Sequence, residues 1–333
     1  MTILVTGASG FIGSAVVRAL LARGSRVRVL VRPSSDLSNL RNLPVDLAQG
    51  DLCDAAALRR ACAGCSGLYH LAADYRLWTR EPATLYASNV TGTAHLMEVA
   101  LAAKIPRIVY TSSVATLGLH QDGHPANENT PVALSDMIGH YKRSKFLAEQ
   151  LIDTLVVERG LPVVIVNPST PIGPHDIRPT PTGRMIRDAY LGKIPAFVDT
   201  GLNLVHVDDV AQGHLLAFDK GAVGRRYILG GENLSLRQIL TAIAHLAQRA
   251  PPVVQLPRLA VLPVALVGEA WAWLTNGPEP QITLDGLRMS LKKMYFDSGR
   301  AQRELGYVSR PAVLAIADAV EWFSRGRAQR AAN

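Results

Sequence analysis

The chain has 333 residues, of which 48% are hydrophobic and 19% are charged, and its formal net charge is +8 at pH 7. This length and hydrophobic content suffice for one large domain, or two lobes, with a buried core. The basic residues are scattered rather than clustered, so we expect no nucleic-acid-binding arm. A diffuse positive charge instead suits an anionic ligand such as a phosphate, or a weakly anionic membrane surface.

The three cysteines, Cys53, Cys62 and Cys65, are odd in number, which argues against a disulfide framework and for a reducing compartment. Cys62 and Cys65 have the spacing of a metal knuckle, but no second pair follows, so we expect no metal site. The N-terminal stretch MTILVTG lacks the basic and apolar regions of a signal peptide, and it predicts a strand. We therefore expect a cytoplasmic protein.

Short apolar runs alternate with helical patterns along the first half of the chain, beginning with Ile3–Thr6 and the helix-like Phe11–Gly24. Runs rich in Val, Ile and Leu that alternate with helices are typical of a parallel sheet covered on both faces. We therefore predict an α/β fold, in which a doubly wound parallel Rossmann sheet carries a smaller, mostly helical C-terminal substrate lobe. The further apolar runs are Arg26–Val31, Gly67–Ala73, Arg107–Ser113 and Pro162–Pro168.

After Pro168 the sequence becomes rich in Pro, Gly and Thr, which predicts an ordered loop over 167–183. Strand and helix patterns return over 202–218, and mostly helical patterns follow from about Ser235. We assign 1–167 with 202–231 to a dinucleotide-binding domain, 168–201 with 232–325 to a substrate lobe, and 326–333 to a tail.

The stretch Val253–Leu274 is long and apolar, but Pro257, Arg258, Pro263 and Glu269 interrupt it. It therefore lacks the uninterrupted span of about 20 apolar residues that a membrane helix requires. Three interpretations stay open: helices that line the core or the substrate lobe, a hydrophobic lip that contacts a membrane or a lipid substrate, and a spanning helix.

The loop TGASGFIG joins the first predicted strand to the first predicted helix, and its glycines have the spacing G-x-x-G-x-x-G. One glycine allows a tight turn, another lets the backbone approach a pyrophosphate, and the third lets helix and strand pack closely. The helix N-terminus then offers N–H groups and the positive end of its dipole to the phosphates. The predicted cofactor-binding residues of this loop are Gly7, Gly10, Phe11, Ile12 and Gly13.

Arg32 ends the second predicted strand, at the place where an acidic residue would bind the adenosine ribose. An arginine there can clamp a 2′-phosphate with its plane stacked on adenine, and Ser34 and Ser35 can add hydroxyl donors. Asp36 lies beyond Pro33, too far along the chain to serve the ribose. We therefore expect NADP(H) as the cofactor, with NAD(H) less favoured.

The glycine spacing and its context resemble the extended short-chain dehydrogenase/reductase superfamily, the NAD-dependent epimerase/dehydratase family. This resemblance implies an adenine contact after the third strand, a wall of small residues after the fourth strand, and a segment near the nicotinamide after the sixth. The residues that match these places are Asp51, Leu52, Leu71, Ala72, Ala73, Pro168 and Ser169.

The resemblance also implies a serine after the fifth strand and a Tyr-x-x-x-Lys pair on the next helix, which Ser113, Tyr141 and Lys145 supply. Tyr141 and Lys145 are one helical turn apart and share a face. A nearby ammonium favours the phenolate of a tyrosine, whose free pKa is near 10, and Ser113 would polarise the substrate oxygen. By similarity, Asn89 is the supporting asparagine.

Within the superfamily, Arg32 and the glycine loop look like the dihydroflavonol reductase and 3β-hydroxysteroid dehydrogenase branch. HLAADYRLW and the Pro-rich stretch look most like the bacterial hopanoid-associated sugar epimerases, which implies a nucleotide-sugar or lipid-linked sugar substrate. The candidate substrate contacts under either reading are Asp74, Tyr75, Arg76 and Trp78.

Three functions therefore stay open: a sugar epimerase in hopanoid biosynthesis, a one-way NADPH-dependent ketone or aldehyde reductase on a hydrophobic substrate, and a non-catalytic NADP(H)-sensing regulator. The resemblance also implies a homodimer. His206 is expected to be a strand-end residue rather than a proton relay, and the two aspartates after it, Asp208 and Asp209, are expected to cap the following helix.

Overall fold

The computed structural model describes residues 1–275, 277, 280 and 283–331. The strands are β1 (Thr2–Thr6), β2 (Arg26–Val31), β3 (Val45–Gln49), β4 (Cys65–His70), β5 (Ile108–Thr111), β6 (Val163–Pro168), β7 (Thr170–Ile172), β8 (Ala196–Phe197), β9 (Gly201–His206), β10 (Arg226–Leu229), β11 (Glu232–Ser235) and β12 (Val254–Gln255). The α-helices are α1 (Phe11–Ala22), α2 (Ala55–Cys62), α3 (Pro82–Tyr86), α4 (Gly92–Ala102), α5 (Gly139–Arg159), α6 (Pro181–Tyr190), α7 (Val207–Lys220), α8 (Leu236–Leu246), α9 (Arg258–Thr275), α10 (Leu284–Met289), α11 (Gly299–Leu305) and α12 (Ala312–Ala331).

Within the described residues, seven strands form one parallel sheet in the order β3-β2-β1-β4-β5-β6-β10. The chain starts in the middle of this sheet and reverses its direction of progress between β3 and β4, which is the topology of a doubly wound fold. The prediction of an α/β fold with a parallel Rossmann sheet is confirmed.

Both faces of this sheet are covered, as the apolar strands require. Because side chains alternate along a strand, Ile3 and Val5 point into the core under α1 and α7, whereas Leu4 points into the core under α2, α4 and α5. This two-sided burial explains why the strand sequences are continuous in Val, Ile and Leu rather than alternating with polar residues.

A smaller layer is built around a three-stranded sheet, in which β9 pairs parallel with β7 and antiparallel with β11, and β8 pairs with β12 in a separate two-stranded sheet. Ile186, Ile239, Ile243 and Ile316, from α6, α8 and α12, form its apolar core. The strand β7 lies inside the stretch predicted as a loop, so that prediction is wrong there. Pro171 is tolerated because β7 is an edge strand.

The division into a dinucleotide-binding domain and a substrate lobe stays our proposal. β10 joins the large sheet, whereas β9 joins the small one. α12 runs through most of the predicted tail, and residues 332 and 333 lie outside the described residues. In the part of the chain that the structure describes, no helix has both the length and the apolar character needed to cross a bilayer.

Candidate active site

A cavity of about 980 Å³ lies along the carboxyl ends of the strands of the large sheet, where doubly wound folds bind their ligands. Its wall includes the glycine loop, the ends of β2, β5 and β6, the first turn of α5, and part of α10. Of the predicted catalytic and cofactor-binding residues, all line this cavity except Asn89. Those that do are Gly7, Gly10, Phe11, Ile12, Gly13, Arg32, Asp51, Leu52, Leu71, Ala72, Ala73, Ser113, Tyr141, Lys145, Pro168 and Ser169.

The glycine loop is too crowded for side chains at two of its three glycines. A Cβ on Gly7 would lie 2.5 Å from the backbone nitrogen of Ala72, and Gly7 also has a φ of +70°. A Cβ on Gly13 would lie 2.1 Å from the carbonyl oxygen of Gly7. Gly10 is the N-cap of α1, and having no side chain it cannot accept a hydrogen bond from the first N–H groups of the helix. Those N–H groups, at the cavity wall, are left for a ligand.

The end of β2 presents an exposed Arg32 to the cavity, together with Ser34 and Ser35. The carboxylate of Asp36 accepts hydrogen bonds from the hydroxyl and N–H of Ser38, at 2.6 Å and 3.0 Å. These hydrogen bonds hold the pKa of Asp36 below its usual range. The acidic residue nearest to Arg32 in sequence, Asp36, is therefore hydrogen-bonded to Ser38.

Ser169, at the other end of the cavity, has a buried hydroxyl with no hydrogen-bond partner among the described residues. A buried polar group without a partner is costly, so such an atom in a cavity wall is suited to bind a ligand. Together with the crowded glycine loop and the uncapped helix, this orphan hydroxyl fits a bound nicotinamide dinucleotide.

Tyr141 and Ser113 meet in the cavity wall, although 28 positions separate them in the sequence. Ser113 follows β5 and Tyr141 lies in the first turn of α5, and their side chains lie near each other in the cavity wall. Burial raises the pKa of Tyr141, and the nearby side chain of Ser113 offsets part of this rise. The tyrosine is therefore a neutral phenol at neutral pH in the ligand-free protein.

Lys145 lies one turn further along α5 and is buried. Its Nζ donates to the carbonyl oxygen of Thr111 at 2.8 Å and to the hydroxyl of Tyr110 at 3.2 Å, so it is fixed to the end of β5. Burial lowers the pKa of Lys145 to about 8, against the opposing effect of Glu149. The ammonium is thus still charged at pH 7 and loses its proton just above that pH.

Asn89 lies behind the cavity wall, in a π-helical turn (Ala87–Thr91) between α3 and α4. Its amide accepts a hydrogen bond from the N–H of Asp74 at 2.7 Å and donates to the carbonyl of Asp74 at 2.8 Å. It also donates to Ser144, whose hydroxyl donates to the carbonyl of Tyr141. Asn89 thus fixes two segments of the wall without lining the cavity.

Of the candidate substrate contacts, Asp74, Tyr75 and Arg76 line the cavity, and Arg76 is paired with Asp74 at 3.0 Å. Trp78 instead packs edge-on against Trp273 of α9, with 6.1 Å between ring centroids. His206 lies at the end of β9 as expected, but the cap of α7 is its own Nδ1, which accepts from the N–H of Asp208 at 3.0 Å, rather than an aspartate side chain.

Glu149 organises the back of the site and was missed by the sequence reasoning. It is buried, and its Oε2 accepts hydrogen bonds from Thr116 at 2.9 Å, from Asn167 at 3.1 Å and from Ser112. Its Oε1 lies 3.2 Å from the guanidinium of Arg226. Glu149 lies two helical turns after Tyr141 on α5, and therefore near the same face of the helix. This spacing was the sequence signal that could have placed Glu149 at the site.

His70 was also missed, and its hydrogen bonds fix its tautomer. Thr93 donates its hydroxyl proton to the carbonyl of Asn89, so it accepts from Nε2–H of His70 at 2.9 Å. The Nδ1 atom then accepts from the hydroxyl of Thr6 at 2.7 Å. Complete burial lowers the pKa of His70 to about 3, so this neutral ring links the glycine-loop strand to the helix that bears Asn89.

The parallel sheet, the crowded glycine loop and the tyrosine–serine–lysine group together define a dinucleotide-binding protein of the oxidoreductase class. Residues 3–230 match the family described as NAD dependent epimerase/dehydratase family. The chain belongs to this family, whose members bind a nicotinamide cofactor and which forms the extended branch of the short-chain dehydrogenases/reductases.

Several relatives are similar over nearly the whole chain. A protein of Synechocystis named "Putative dihydroflavonol 4-reductase" is 46% identical, with 96% of this chain and 93% of the relative covered. The sterol demethylase protein B of Methylococcus capsulatus is 38% identical, with coverages of 97% and 98%. A protein called gox2253, whose crystal structure is known, is 52% identical in sequence to this chain. The two structures superpose with a TM-score of 0.88 over 98% of each chain.

Proposed function

We propose that this protein is an NADP(H)-dependent reductase that converts a ketone or aldehyde on a hydrophobic small molecule into an alcohol. The observation that carries the proposal is that Tyr141 and Ser113 lie together in the cavity wall, with the buried ammonium of Lys145 one helical turn further along α5. Because burial raises the pKa of Tyr141, the phenol holds its proton at neutral pH. A group in that state suits the donation of a proton, which is what carbonyl reduction requires.

Reduction adds a hydride to the carbonyl carbon and a proton to the carbonyl oxygen. The nicotinamide, when bound, supplies the hydride. Ser113 holds and polarises the carbonyl oxygen, and the Tyr141 hydroxyl gives its proton to the same oxygen, which completes the alcohol. The nearby charge of Lys145 stabilises the phenolate that remains, until solvent returns a proton to it.

The preference for a hydrophobic substrate is supported by the side of the cavity that the second half of the chain builds. Leu202, Met289 and Met294 line it there, among polar residues that include Thr200 and Ser290. The relatives from Synechocystis and Methylococcus capsulatus are named after reactions of a dihydroflavonol and a sterol. Both of these molecules are hydrophobic ring systems. A polar sugar would leave such apolar side chains without complementary contacts.

The preference for NADP(H) is supported by the end of β2. Arg32 is exposed there beside Ser34 and Ser35, and the carboxylate of Asp36 is held by Ser38. A 2′-phosphate would gain charge-assisted hydrogen bonds from Arg32. A neutral ribose hydroxyl would gain no comparable charge-assisted contact from Arg32.

An epimerase is the second candidate, including the sugar epimerase of hopanoid biosynthesis, and the family match favours it. In that reaction Tyr141 first removes a hydroxyl proton, and the hydride later returns to the opposite face of the substrate. The nucleotide must then remain bound through the whole cycle. Retention of nucleotide therefore separates an epimerase from a reductase, which exchanges its nucleotide at each turnover.

The test is a titration of the purified protein with NADPH and NADH, followed by NADPH oxidation with a panel of hydrophobic ketones and aldehydes. We expect tighter binding of NADPH and free nucleotide exchange. Tyr141→Phe should lower turnover at least about 1,000-fold while cofactor binding is kept, since the proton donor is lost. Tyr86→Phe is a matched control, because Tyr86 lies on α3 outside the cavity wall.

Three results would contradict the proposal. Turnover that survives Tyr141→Phe would refute the role of the tyrosine. Nucleotide that stays bound through purification and turnover would favour the epimerase. Binding of NADPH without turnover of any carbonyl or sugar would favour the non-catalytic regulator.

A further inference from the structure

The helix α9 carries its large apolar side chains on the outside of the protein. Leu259 is 81% exposed, Val267 68%, Trp271 67% and Leu274 83%. A surface helix of a water-soluble protein normally turns such residues inward and shows polar residues to solvent. The further exposed apolar residues of the same helix are Leu262, Val264, Leu266 and Trp273.

The inward face of α9 has the opposite character, since its buried residues are the smaller Val261, Ala265 and Ala272. From Leu259 to the end of the helix, Glu269 is the one charged residue in the sequence. Its carboxylate faces the protein and accepts a hydrogen bond from the N–H of Leu284 at 2.7 Å. The outward face is therefore apolar and uncharged beyond residue 258, and a contiguous patch of this kind marks a contact surface.

This face is joined to the rim of the cavity on two sides. The helix α10, which packs against α9, lines the cavity with Met289. On the other side, Arg80 donates to the carbonyl of Ala272 at 2.6 Å, near the end of α9. Its guanidinium also lies over Trp78 and Trp273, and Leu77, the residue before Trp78, lines the cavity.

The chemistry of this face fits a lipid surface. Tryptophans such as Trp271 and Trp273 are enriched at the boundary between headgroups and acyl chains. The exposed Lys292 and Lys293 follow α10, which packs against α9, and such cations attract anionic headgroups. The apolar stretch of α9 is too short to span a bilayer. A helix of this kind, with an apolar outward face, lies in the plane of the membrane–water interface.

We propose that α9 docks this protein onto the surface of a lipid bilayer and that the cavity takes its hydrophobic carbonyl substrate from that membrane. The second clause rests on the proposed reductase function, whereas the docking itself does not. In this arrangement the exposed residues of α9 enter the bilayer surface, and the cavity rim beside α10 faces the acyl chains.

The test is flotation of the full-length protein with vesicles of phosphatidylcholine, with and without added phosphatidylglycerol. We expect binding that is stronger with the anionic lipid. Replacing three outward residues together, Leu259→Gln, Val267→Gln and Trp271→Gln, should weaken the partition at least about tenfold, because each exchange removes apolar area from the interface. The control exchanges Val157→Gln, Val308→Gln and Val313→Gln, which alter equally exposed valines elsewhere, should leave binding unchanged.

Absence of vesicle binding by the unaltered protein, or equal binding by the α9 variant, would overturn the docking proposal. A dimer that the α9 variant dissociates, without vesicle binding, would overturn it in favour of a second copy of the chain. With turnover as a further readout, the α9 variant should lose activity on a vesicle-dissolved ketone but keep it on a water-soluble one. Vesicle binding without turnover of any carbonyl would refute the reductase and leave the docking intact.

Discussion

Replacement of Glu149 by glutamine tests whether the buried network behind Tyr141 has the importance that its geometry indicates. The carboxylate accepts from Ser112, Thr116 and Asn167 through one oxygen and faces Arg226 through the other, at 3.2 Å. Glutamine keeps one acceptor oxygen but turns an amide donor toward the guanidinium. Loss of charge-assisted hydrogen bonds and of a buried ion-pair partner costs roughly 2–4 kcal/mol of the free energy of unfolding.

The measurement is urea unfolding followed by circular dichroism, with the slope compared between variants. Glu98→Gln is the matched control, because Glu98 pairs with Arg159 at the same distance of 3.2 Å but is half exposed. An exposed pair contributes about 0–1 kcal/mol, so this variant should be close to the unaltered protein. If Glu149→Gln loses no more stability than Glu98→Gln, our reading of the network is wrong.

The same exchange should also change the pH dependence of turnover. Glu149 raises the pKa of Lys145, which burial lowers to about 8. Without the carboxylate that pKa falls further, so the ammonium beside Tyr141 is lost at a lower pH. We expect the alkaline limb of the turnover profile to move to lower pH in Glu149→Gln and to stay in place in Glu98→Gln.

Three further predictions concern single groups. Gly13→Ala should weaken cofactor binding at least about tenfold, measured by NADPH fluorescence, because its Cβ would lie 2.1 Å from the carbonyl oxygen of Gly7. Turnover of the unaltered enzyme should fall as the pH rises through about 8, where Lys145 loses its proton; a flat profile to pH 9 would contradict this. Burial lowers the pKa of His214 to about 4, so the native state binds fewer protons than the unfolded one, and stability falls as the pH drops from about 6.5 toward 4, by up to ~1.4 kcal/mol per pH unit. The slope of stability against pH reports the difference in bound protons between the unfolded and native states. His214→Gln should reduce that difference by about one proton between pH 6.5 and about 4, and an unchanged slope would contradict the assignment.

Local patterns in the sequence determined the fold class and much of the cavity wall. Apolar runs between helical patterns predicted the parallel sheet, because continuous Val, Ile and Leu strands need cover on both faces. The glycine loop and the Tyr141–Lys145 spacing are likewise properties of a few adjacent residues. The strand β7 escaped this reasoning, because an edge strand can hold Pro171 in a stretch whose composition predicts a loop.

Contacts between distant segments were decided by the tertiary structure alone. The sheet brings Ser113 to Tyr141, Thr6 to His70, and Asn167 to Glu149, and no sequence period records such pairs. Burial then shifts the pKa values of Tyr141 and His70, since desolvation depends on every element packed around them. The orientation of α9 is of the same kind: its apolar composition is evident in the sequence, but only packing shows that the large side chains face outward.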